Sequence, residues 1–182
     1  MKTIHIPTKI TRLLILFLGL VITTASCKES TPKTGSSSNS ELSYTSKMTK
    51  SDKKKYYNGE TVVYEVKYKP DAFKLRTPSS KLLWKVKLYD TKIKVSDNEE
   101  NLNPYEIKIL GNNSAKLEKN GLVIARTSFN TEANTQDINF LESDKSISFS
   151  QSYSPILLVK AIDALADDQK EIIMLELADK GY

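Results

Sequence analysis

The chain has 182 residues and carries 27 Lys and Arg against 22 Asp and Glu, which gives a formal net charge of +5. This length predicts one domain with a hydrophobic core of its own. A single His and a single Cys exclude a disulfide within the chain and any zinc site built on several His or Cys ligands.

Residues 1–27 have the pattern of an export signal. Lys2, Lys9 and Arg12 precede or adjoin the apolar run LLILFLGLVI, and residues 1–26 contain no Asp or Glu. The run is about as long as a signal-peptide core and shorter than the roughly 20 residues of a membrane-spanning helix. It leads through small residues to Thr24-Ala25-Ser26-Cys27. This ending resembles the bacterial lipoprotein signal, although Thr24 stands where that signal usually has Leu.

The resemblance implies that Cys27 becomes the lipid-bearing first residue of a protein anchored in the bacterial cell envelope. Under the sorting rule of enteric bacteria, Lys28 at the next position implies the outer membrane, on its periplasmic or its surface side. The alternatives are an uncleaved anchor helix or an ordinary signal peptide cut near Ala25. Removal of residues 1–26 takes away His5, and lipidation consumes Cys27, so Ser-His-Asp and Cys-His catalysis are excluded. We therefore expect no catalytic residue, cofactor or metal site.

Residues 27–58 are rich in Ser, Thr, Lys and Asn and contain few large apolar residues. Such a composition buries too little surface to offset the cost of ordering the backbone. It predicts a flexible tether between the lipidated Cys27 and a single domain over residues 59–182. The run Lys53-Lys54-Lys55 near its end favours a solvated linker, with contact to an anionic surface as the alternative.

Apolar and polar residues alternate along much of residues 61–149. The clearest cases are Thr61–Lys69 and Leu82–Leu88, and weaker runs follow as far as residue 149. Period-2 alternation predicts strands, and Asn112-Asn113 and Asn120-Gly121 are typical of hairpin turns. Eight or nine strands at this spacing predict a mainly β (α+β) fold, an antiparallel meander closed or nearly closed into a barrel or sandwich.

The C-terminal segment breaks this alternation. Ser154-Pro155 is typical of a helix start, and ILLVKAIDALA (156–166) is apolar on nearly every face. We expect this helix to be buried against the sheet, and its 11 residues are too few to span a bilayer. Asp168 with Glu171 predicts the start of a second helix, ended by Gly181. A single kinked helix is the alternative to a helix pair.

Strands followed by a nearly all-apolar helix resemble the tubby, LURP-one and scramblase architecture. The residues that carry this resemblance are Tyr64–Lys69, Phe73–Arg76, Leu82–Leu88, Lys92–Asp97 and Ile156–Ala166. They match as a pattern of elements and contain no signature motif. The resemblance implies strands closed around a hydrophobic helix and a domain that binds phosphoinositide or other anionic headgroups. Fold analogy alone does not establish such a function.

Charge is unevenly distributed along the chain. Residues 62–94 carry nine Lys and Arg against three acids, and residues 131–182 carry four Lys against ten acids. Lys67, Lys69, Lys85 and Lys87 stand at alternating positions, so we expect them on one sheet face. They form a candidate surface for an anionic glycan or lipid headgroup; a solvated outer face is the alternative. Nucleic acid is not expected as a partner.

Acidic residues also suggest a calcium site or a carboxylate-based active site. Asp97, Glu99 and Asn101 alternate as in a calcium loop, but the loop lacks Gly at its sixth position and Glu at its twelfth, so no calcium site is predicted. A glycan hydrolase that uses two carboxylates would need acids that converge in a cleft.

These observations favour a lipid-anchored envelope protein that acts as a binding or structural module and not as an enzyme. Its expected partners are the membrane, reached through the lipid anchor, and an envelope protein or an anionic glycan or lipid. A headgroup-binding tubby-like domain is the first alternative, and a carboxylate-dependent glycan hydrolase is the second.

Overall fold

A computed structural model of the chain describes residues 44–182. The predicted lipoprotein signal, Cys27 and the first part of the predicted tether lie outside these residues. The described elements are eleven strands, a 3₁₀ helix and an α-helix. Their bounds are β1 (Tyr44–Lys50), β2 (Lys53–Asn58), β3 (Thr61–Lys69), β4 (Ala72–Arg76), β5 (Leu82–Tyr89), β6 (Lys92–Ser96), β7 (Tyr105–Leu110), β8 (Ser114–Lys119), β9 (Leu122–Asn130), β10 (Thr135–Phe140), β11 (Ser146–Phe149), the 3₁₀ helix (Pro155–Ala161) and α1 (Asp167–Ala178).

All strands belong to one antiparallel meander, in which each strand pairs with its neighbours in sequence. The predicted mainly β fold is thus confirmed. The nine strands from β3 to β11 occupy the predicted region, and β3 has the predicted bounds Thr61–Lys69. Among the described residues β1 and β11 form the two edges, so the sheet is not closed into a barrel.

Asparagine residues make the tight turns on either side of β8. Asn112 and Asn113 join β7 to β8 with φ angles of 58° and 51°. Asn120 and Gly121 join β8 to β9 with φ angles of 51° and 81°. Positive φ at both central residues gives the turn twist that matches paired strands, and Asn and Gly adopt it at low cost. Both predicted hairpin turns are confirmed.

The prediction of a flexible tether is wrong for residues 44–58, which form β1 and β2. Their sequence is polar because β1 is exposed along most of its length and β2 buries only Tyr56 fully. These strands are held by hydrogen bonds to distant side chains, described below. Composition alone therefore failed to reveal them.

The sheet has an inner face, which packs against the 3₁₀ helix and α1, and an opposite outer face. Cross-strand register places Phe73, Val86 and Val95 opposite one another on the inner face. Leu88, Ile93, Ile107, Leu117 and Ala125 form a second inner row. Fully burying a Leu, Ile or Phe side chain contributes about 1.5–3 kcal/mol, so these rows supply much of the driving force for folding.

The predicted buried helix over 156–166 is a 3₁₀ helix and covers only Pro155–Ala161. Ile156, Leu157, Leu158, Val159 and Ala161 are all buried, as predicted for a segment that is apolar on every side. Ser154 makes no side-chain cap. Instead, the fully buried Gln136 accepts a hydrogen bond from the Ser154 N–H at 2.6 Å and donates one to its carbonyl at 2.9 Å.

The second helical segment is separate, so the two predicted helices are distinct elements and not one kinked helix. Ala166 precedes α1, and Asp168 lies inside its first turn, so the predicted Asp168–Glu171 capping box is not formed. The side chain of Gln169 accepts a hydrogen bond from the Ala166 N–H at 3.4 Å. Acidic side chains in this first turn favour the helix through its dipole.

A buried carboxylate on α1 ties the helix to the first strands. Glu176 has no solvent exposure and accepts hydrogen bonds from the Tyr56 hydroxyl at 2.6 Å, the Tyr68 hydroxyl at 2.7 Å and Lys54 Nζ at 3.0 Å. Burial and the hydrogen bond to Glu176 raise the pKa of both tyrosines. Both hydroxyls therefore stay protonated and keep donating at neutral pH.

A second carboxylate extends these contacts along α1. Asp168 accepts hydrogen bonds from the Tyr64 hydroxyl at 2.6 Å and the Tyr44 hydroxyl at 3.3 Å. Burial, together with this hydrogen bond, raises the pKa of Tyr64 to about 12. Trp84 Nε1 donates to Gln169 at 2.8 Å. The polar residues of α1 thus anchor β1, β2, β3 and β5, which explains why β1 and β2 are ordered.

We expect Glu176→Ala to lower the free energy of unfolding by about 3–5 kcal/mol, because it leaves the Tyr56 and Tyr68 hydroxyls without their acceptor and removes one of the two carboxylates that Lys54 contacts. Glu176→Gln keeps one acceptor oxygen and is expected to cost about 1–3 kcal/mol. Urea denaturation followed by circular dichroism measures both changes. Glu171→Gln, on the same helix but outside this cluster, serves as the control; an equal loss in the control would contradict the role given to Glu176.

Candidate anion-binding face

The outer face carries lysines in cross-strand rows. In an antiparallel sheet, residues directly opposite each other point to the same face. The register pairs Lys50 with Lys53, Lys53 with Lys67, Lys67 with Lys74, and Lys74 with Lys85. Five lysines on five successive strands therefore form one continuous row, which contains no acid.

Further cations extend this row over most of the sheet. A second row runs from Lys92 through Lys108 and Lys116 to Arg126. The same register argument, applied from β1 to β9, defines the basic face. Its cations are Lys47, Lys50, Lys53, Lys55, Lys67, Lys69, Lys74, Arg76, Lys85, Lys87, Lys92, Lys94, Lys108, Lys116 and Arg126.

The structure places all four lysines singled out from the sequence on this basic face. Lys67 and Lys85 flank Lys74, and Lys69 and Lys87 flank Ala72. Lys67 and Lys69 are exposed, whereas Lys85 and Lys87 are half-buried. Within residues 44–182, these four side chains form no ion pair with an acidic side chain.

Three strand glutamates neutralise part of the basic face. Glu65 pairs with Lys53 at 2.8 Å, and Glu106 pairs with Lys94 at 2.8 Å. Glu118 pairs with Lys116 at 2.8 Å and also accepts a hydrogen bond from Lys108. The lysines that these acids neutralise lie on β2 and on β6, β7 and β8. The cations of β3–β5 are left with less compensation from the strands themselves.

A shallow depression of about 280 Å³ lies at the edge of this face, lined by Asn103, Pro104, Glu106, Lys108, Glu118, Asn120 and Gly121. It brings two carboxylates together, because Glu106 and Glu118 are directly opposite in register. Burial would raise the pKa of Glu106, but Lys94, Lys92 and Lys108 outweigh it and hold that pKa below its usual value. Hydrogen bonds from Lys108 and Lys116 lower the pKa of Glu118. A glycosidase general acid needs a raised pKa, so neither carboxylate is suited to that role.

Glu99 comes to the basic face from the loop between β6 and β7. One carboxylate oxygen accepts from Lys74 Nζ and the other from Arg76 Nη2 at 2.9 Å, while the Glu99 carbonyl accepts from Lys85 Nζ. The hydrogen bond from Lys74, with the charges of Arg76 and Lys85, lowers the pKa of Glu99. The sequence suggested this residue only as part of a calcium-like pattern. Glu99 reaches the lysine row only because of the path of the loop between β6 and β7. No local sequence pattern reveals that path.

The helical side of the molecule has the opposite charge character. Asp163 and Asp167 are exposed there, and the carboxylates of Asp168 and Glu176 are directed toward the sheet. The helical segment 155–182 carries six acids against three lysines, so the side of the sheet opposite the basic face has an excess of acids. Such a distribution orients a protein relative to an anionic surface.

Comparisons with protein-family models, curated proteins and solved structures yielded no match. Within the part of the chain that the structure describes, neither helical segment has the length and apolar character needed to cross a membrane. Among the same residues, no group of three or more His, Cys, Asp or Glu side chains is placed to hold a metal ion. The basic face is therefore the feature of the described domain from which a function can be argued.

Like charges directly opposite each other destabilise a sheet, by up to about 1 kcal/mol for a pair. We expect Lys67→Gln to raise the free energy of unfolding by about 0.2–1 kcal/mol, because Lys67 lies between Lys53 and Lys74. The gain is expected to shrink in high salt. Thermal and urea unfolding at two salt concentrations measure it.

Lys69→Gln is the matched control, because Lys69 lies opposite Ala72 and not opposite another cation. It removes the same charge from the same strand and is expected to change stability little. An equal gain in both variants would contradict the cross-strand explanation.

Proposed function

We propose that this protein is a lipid-anchored protein of the bacterial cell envelope, held in the outer membrane through Cys27, whose basic face binds an anionic component of that envelope. The anchor is inferred from the sequence of residues 1–27. The observation that carries the binding function is the uninterrupted row of Lys50, Lys53, Lys67, Lys74 and Lys85. Because lysines that face one another lower stability, their presence in this row is better accounted for by a ligand than by the fold.

The electrostatics favour an extended anionic ligand. A lysine near an anionic surface contributes about 1 kcal/mol to binding, and the contribution falls off within a Debye length of about 8 Å at physiological salt. Several lysines that act together on one sheet face can therefore bind firmly, although each contact is weak. A lipid anchor would raise the local concentration of the face near its ligand and strengthen the overall association.

Two alternatives are weaker on the same observations. A headgroup-binding tubby-like domain would have strands closed around an apolar helix; the buried segment Pro155–Ala161 packs against the sheet, but among the described residues the sheet is not closed. That function would use the same basic cations. A hydrolase based on two carboxylates would use Glu106 and Glu118, and the lysines beside them disfavour that chemistry, as argued above.

The basic face is tested by charge reversal of Lys67 and Lys87, which form no ion pair with the acids of the described residues. We expect the double variant Lys67→Glu/Lys87→Glu to weaken the binding of dextran sulfate, a soluble polyanion, by at least about tenfold. Calorimetric titration of the full chain in neutral detergent measures the affinity. The wild-type affinity is expected to fall steeply as salt rises.

Lys145→Glu/Lys180→Glu is the control for this experiment. Both lysines are exposed, and neither lies on a strand of the basic face. The control has the same change in net charge and is expected to alter the affinity by less than about twofold at physiological salt. Equal losses in the two double variants would show that binding follows net charge alone and would remove the basic face as the site.

The anchor is tested separately with Cys27→Ala and a metabolic lipid label in a bacterial host. We expect wild-type protein to take up the label and to fractionate with the outer membrane, and the variant to lose both properties, because no thiol remains for lipid attachment. A variant that stays membrane-bound without label would indicate an uncleaved anchor helix instead.

A further inference from the structure

The loop between β6 and β7 brings Glu99 to the cations of β4 and β5. Glu99 contacts Lys74 and Arg76 with its two carboxylate oxygens and Lys85 with its carbonyl. Lys67, directly opposite Lys74, lies on the other side of it from Lys85. We refer to Lys67, Lys74, Arg76 and Lys85 as the four-cation cluster.

The charge of this cluster is only partly compensated. The carboxylate of Glu99 pairs with two of the four cations, Lys74 and Arg76, and within the described residues Lys67 and Lys85 form no ion pair with an acid. Lys74 is only 9% exposed, so little water reaches it. Glu65 lies opposite Arg76 but forms its ion pair with Lys53, at 2.8 Å. A cation with little access to water needs a close anion, because burial of an unpaired charge is costly. The cluster therefore has the capacity to hold more negative charge than Glu99 supplies.

The guanidinium of Arg76 is fixed in orientation and incompletely satisfied. Its Nη1 donates to the Ser80 carbonyl at 2.6 Å, and its Nη2 donates to Glu99 at 2.9 Å. Ser80, whose carbonyl accepts this hydrogen bond, has a left-handed backbone conformation with φ of 69°. Within the described residues the buried Nε has no hydrogen-bond partner. Strained backbone is concentrated at binding and active sites, and an unsatisfied buried donor in a native structure calls for a specific explanation.

The loop can release Glu99 without losing its own structure. Asn98 braces the loop internally, because its side chain accepts from the Leu102 N–H at 2.7 Å and donates to the Leu102 carbonyl at 2.9 Å. Ser96 Oγ donates to Asn101 Oδ1 at 2.9 Å. None of these contacts involves the four-cation cluster. The side chain of Glu99 is 42% exposed, so an incoming anion can reach the same cations.

We propose that the four-cation cluster is a binding site for a phosphate monoester group, and that Glu99 occupies this site until such a group displaces it. This inference rests on the proposed binding function and names the chemistry of its ligand. A phosphate monoester carries up to two negative charges and three acceptor oxygens, so it supplies what the single carboxylate lacks. Arginine recognises phosphate through paired N–H donors, and lysines add point charges around it.

The test measures the affinity of the full chain for glycerol 1-phosphate. It compares wild type with a variant in which Glu99, the internal competitor, is neutralised. We expect Glu99→Gln to bind about tenfold more tightly than wild type, because a neutral amide competes less well for the cations. We expect Arg76→Lys to bind about tenfold more weakly, because it keeps the charge but loses the planar pair of donors. Nuclear magnetic resonance titration measures both, and circular dichroism checks that each variant is folded.

Glu106→Gln is the matched control, since it removes one carboxylate from the same face but outside the cluster. An increase in affinity equal to that of Glu99→Gln would overturn the proposal, because the effect would then follow net charge. An unchanged affinity in Glu99→Gln would overturn it as well. If dextran sulfate still binds in that case, the basic face stands and only the phosphate site is lost; if neither ligand binds, both proposals fail.

Two probes separate the natural sources of such a group. Phosphatidic acid in neutral detergent micelles presents the phosphate monoester on a lipid, and a mannan with terminal mannose 6-phosphate groups presents it on a glycan. Tighter binding of Glu99→Gln than of wild type to either probe supports the site and assigns the source. Failure of Glu99→Gln to bind either probe more tightly than wild type overturns the proposal.

Discussion

The carboxylate of Glu176 is the contact on which the arrangement of the whole domain depends. An enclosed carboxylate is tolerated only where donors satisfy it, and here two tyrosine hydroxyls and a lysine supply them. The donors come from β2 and β3, and the acceptor comes from α1. This requirement keeps the first strands over the last helix. It also fixes which face of those strands is turned away from the core, and so determines where their lysines lie.

The same strands thus serve two purposes on their two faces. The inner residues of β3 and β4, such as Val66 and Leu75, are completely buried. On the outer side of the same strands, Lys67 lies directly opposite Lys74, so that a cation faces a cation. An outer face with only a solubilising role would place opposite charges in register, since such pairs stabilise a sheet. Glu106 does this opposite Lys94, and Glu65 does it opposite Lys55 and Arg76. The row through Lys67 and Lys74 has no acid in register, and its acidic partner is Glu99, which comes from a loop.

The elements that the sequence predicts well are those defined by local alternation. The strands from Thr61 onward and the Asn-containing turns follow from period-2 patterning and from turn chemistry, and the lysines at alternating positions do share a face. β1 and β2 were missed because their order comes from contacts with residues more than a hundred positions away. For the same reason, no pattern in the sequence distinguishes the buried Glu176 from an exposed acid on a helix. Nor does any pattern distinguish Glu99, which contacts the cations of β4, from a loop acid in solvent. The length of the 3₁₀ helix was overestimated because apolar character indicates burial but does not set the backbone conformation.

The separation in sequence between the donors and Glu176 has a consequence for the order in which the chain folds. Every pairing in the sheet joins consecutive strands, so hairpins can form as soon as their second strand is available, with little loop entropy to overcome. Tyr56, however, gains its acceptor 120 residues later, and Tyr68 gains its acceptor 108 residues later. While a chain emerges from a ribosome or a translocation pore, its sheet therefore exposes the apolar inner face until the last helix arrives. That interval is when the nascent chain is most prone to aggregation and when a chaperone has most to protect.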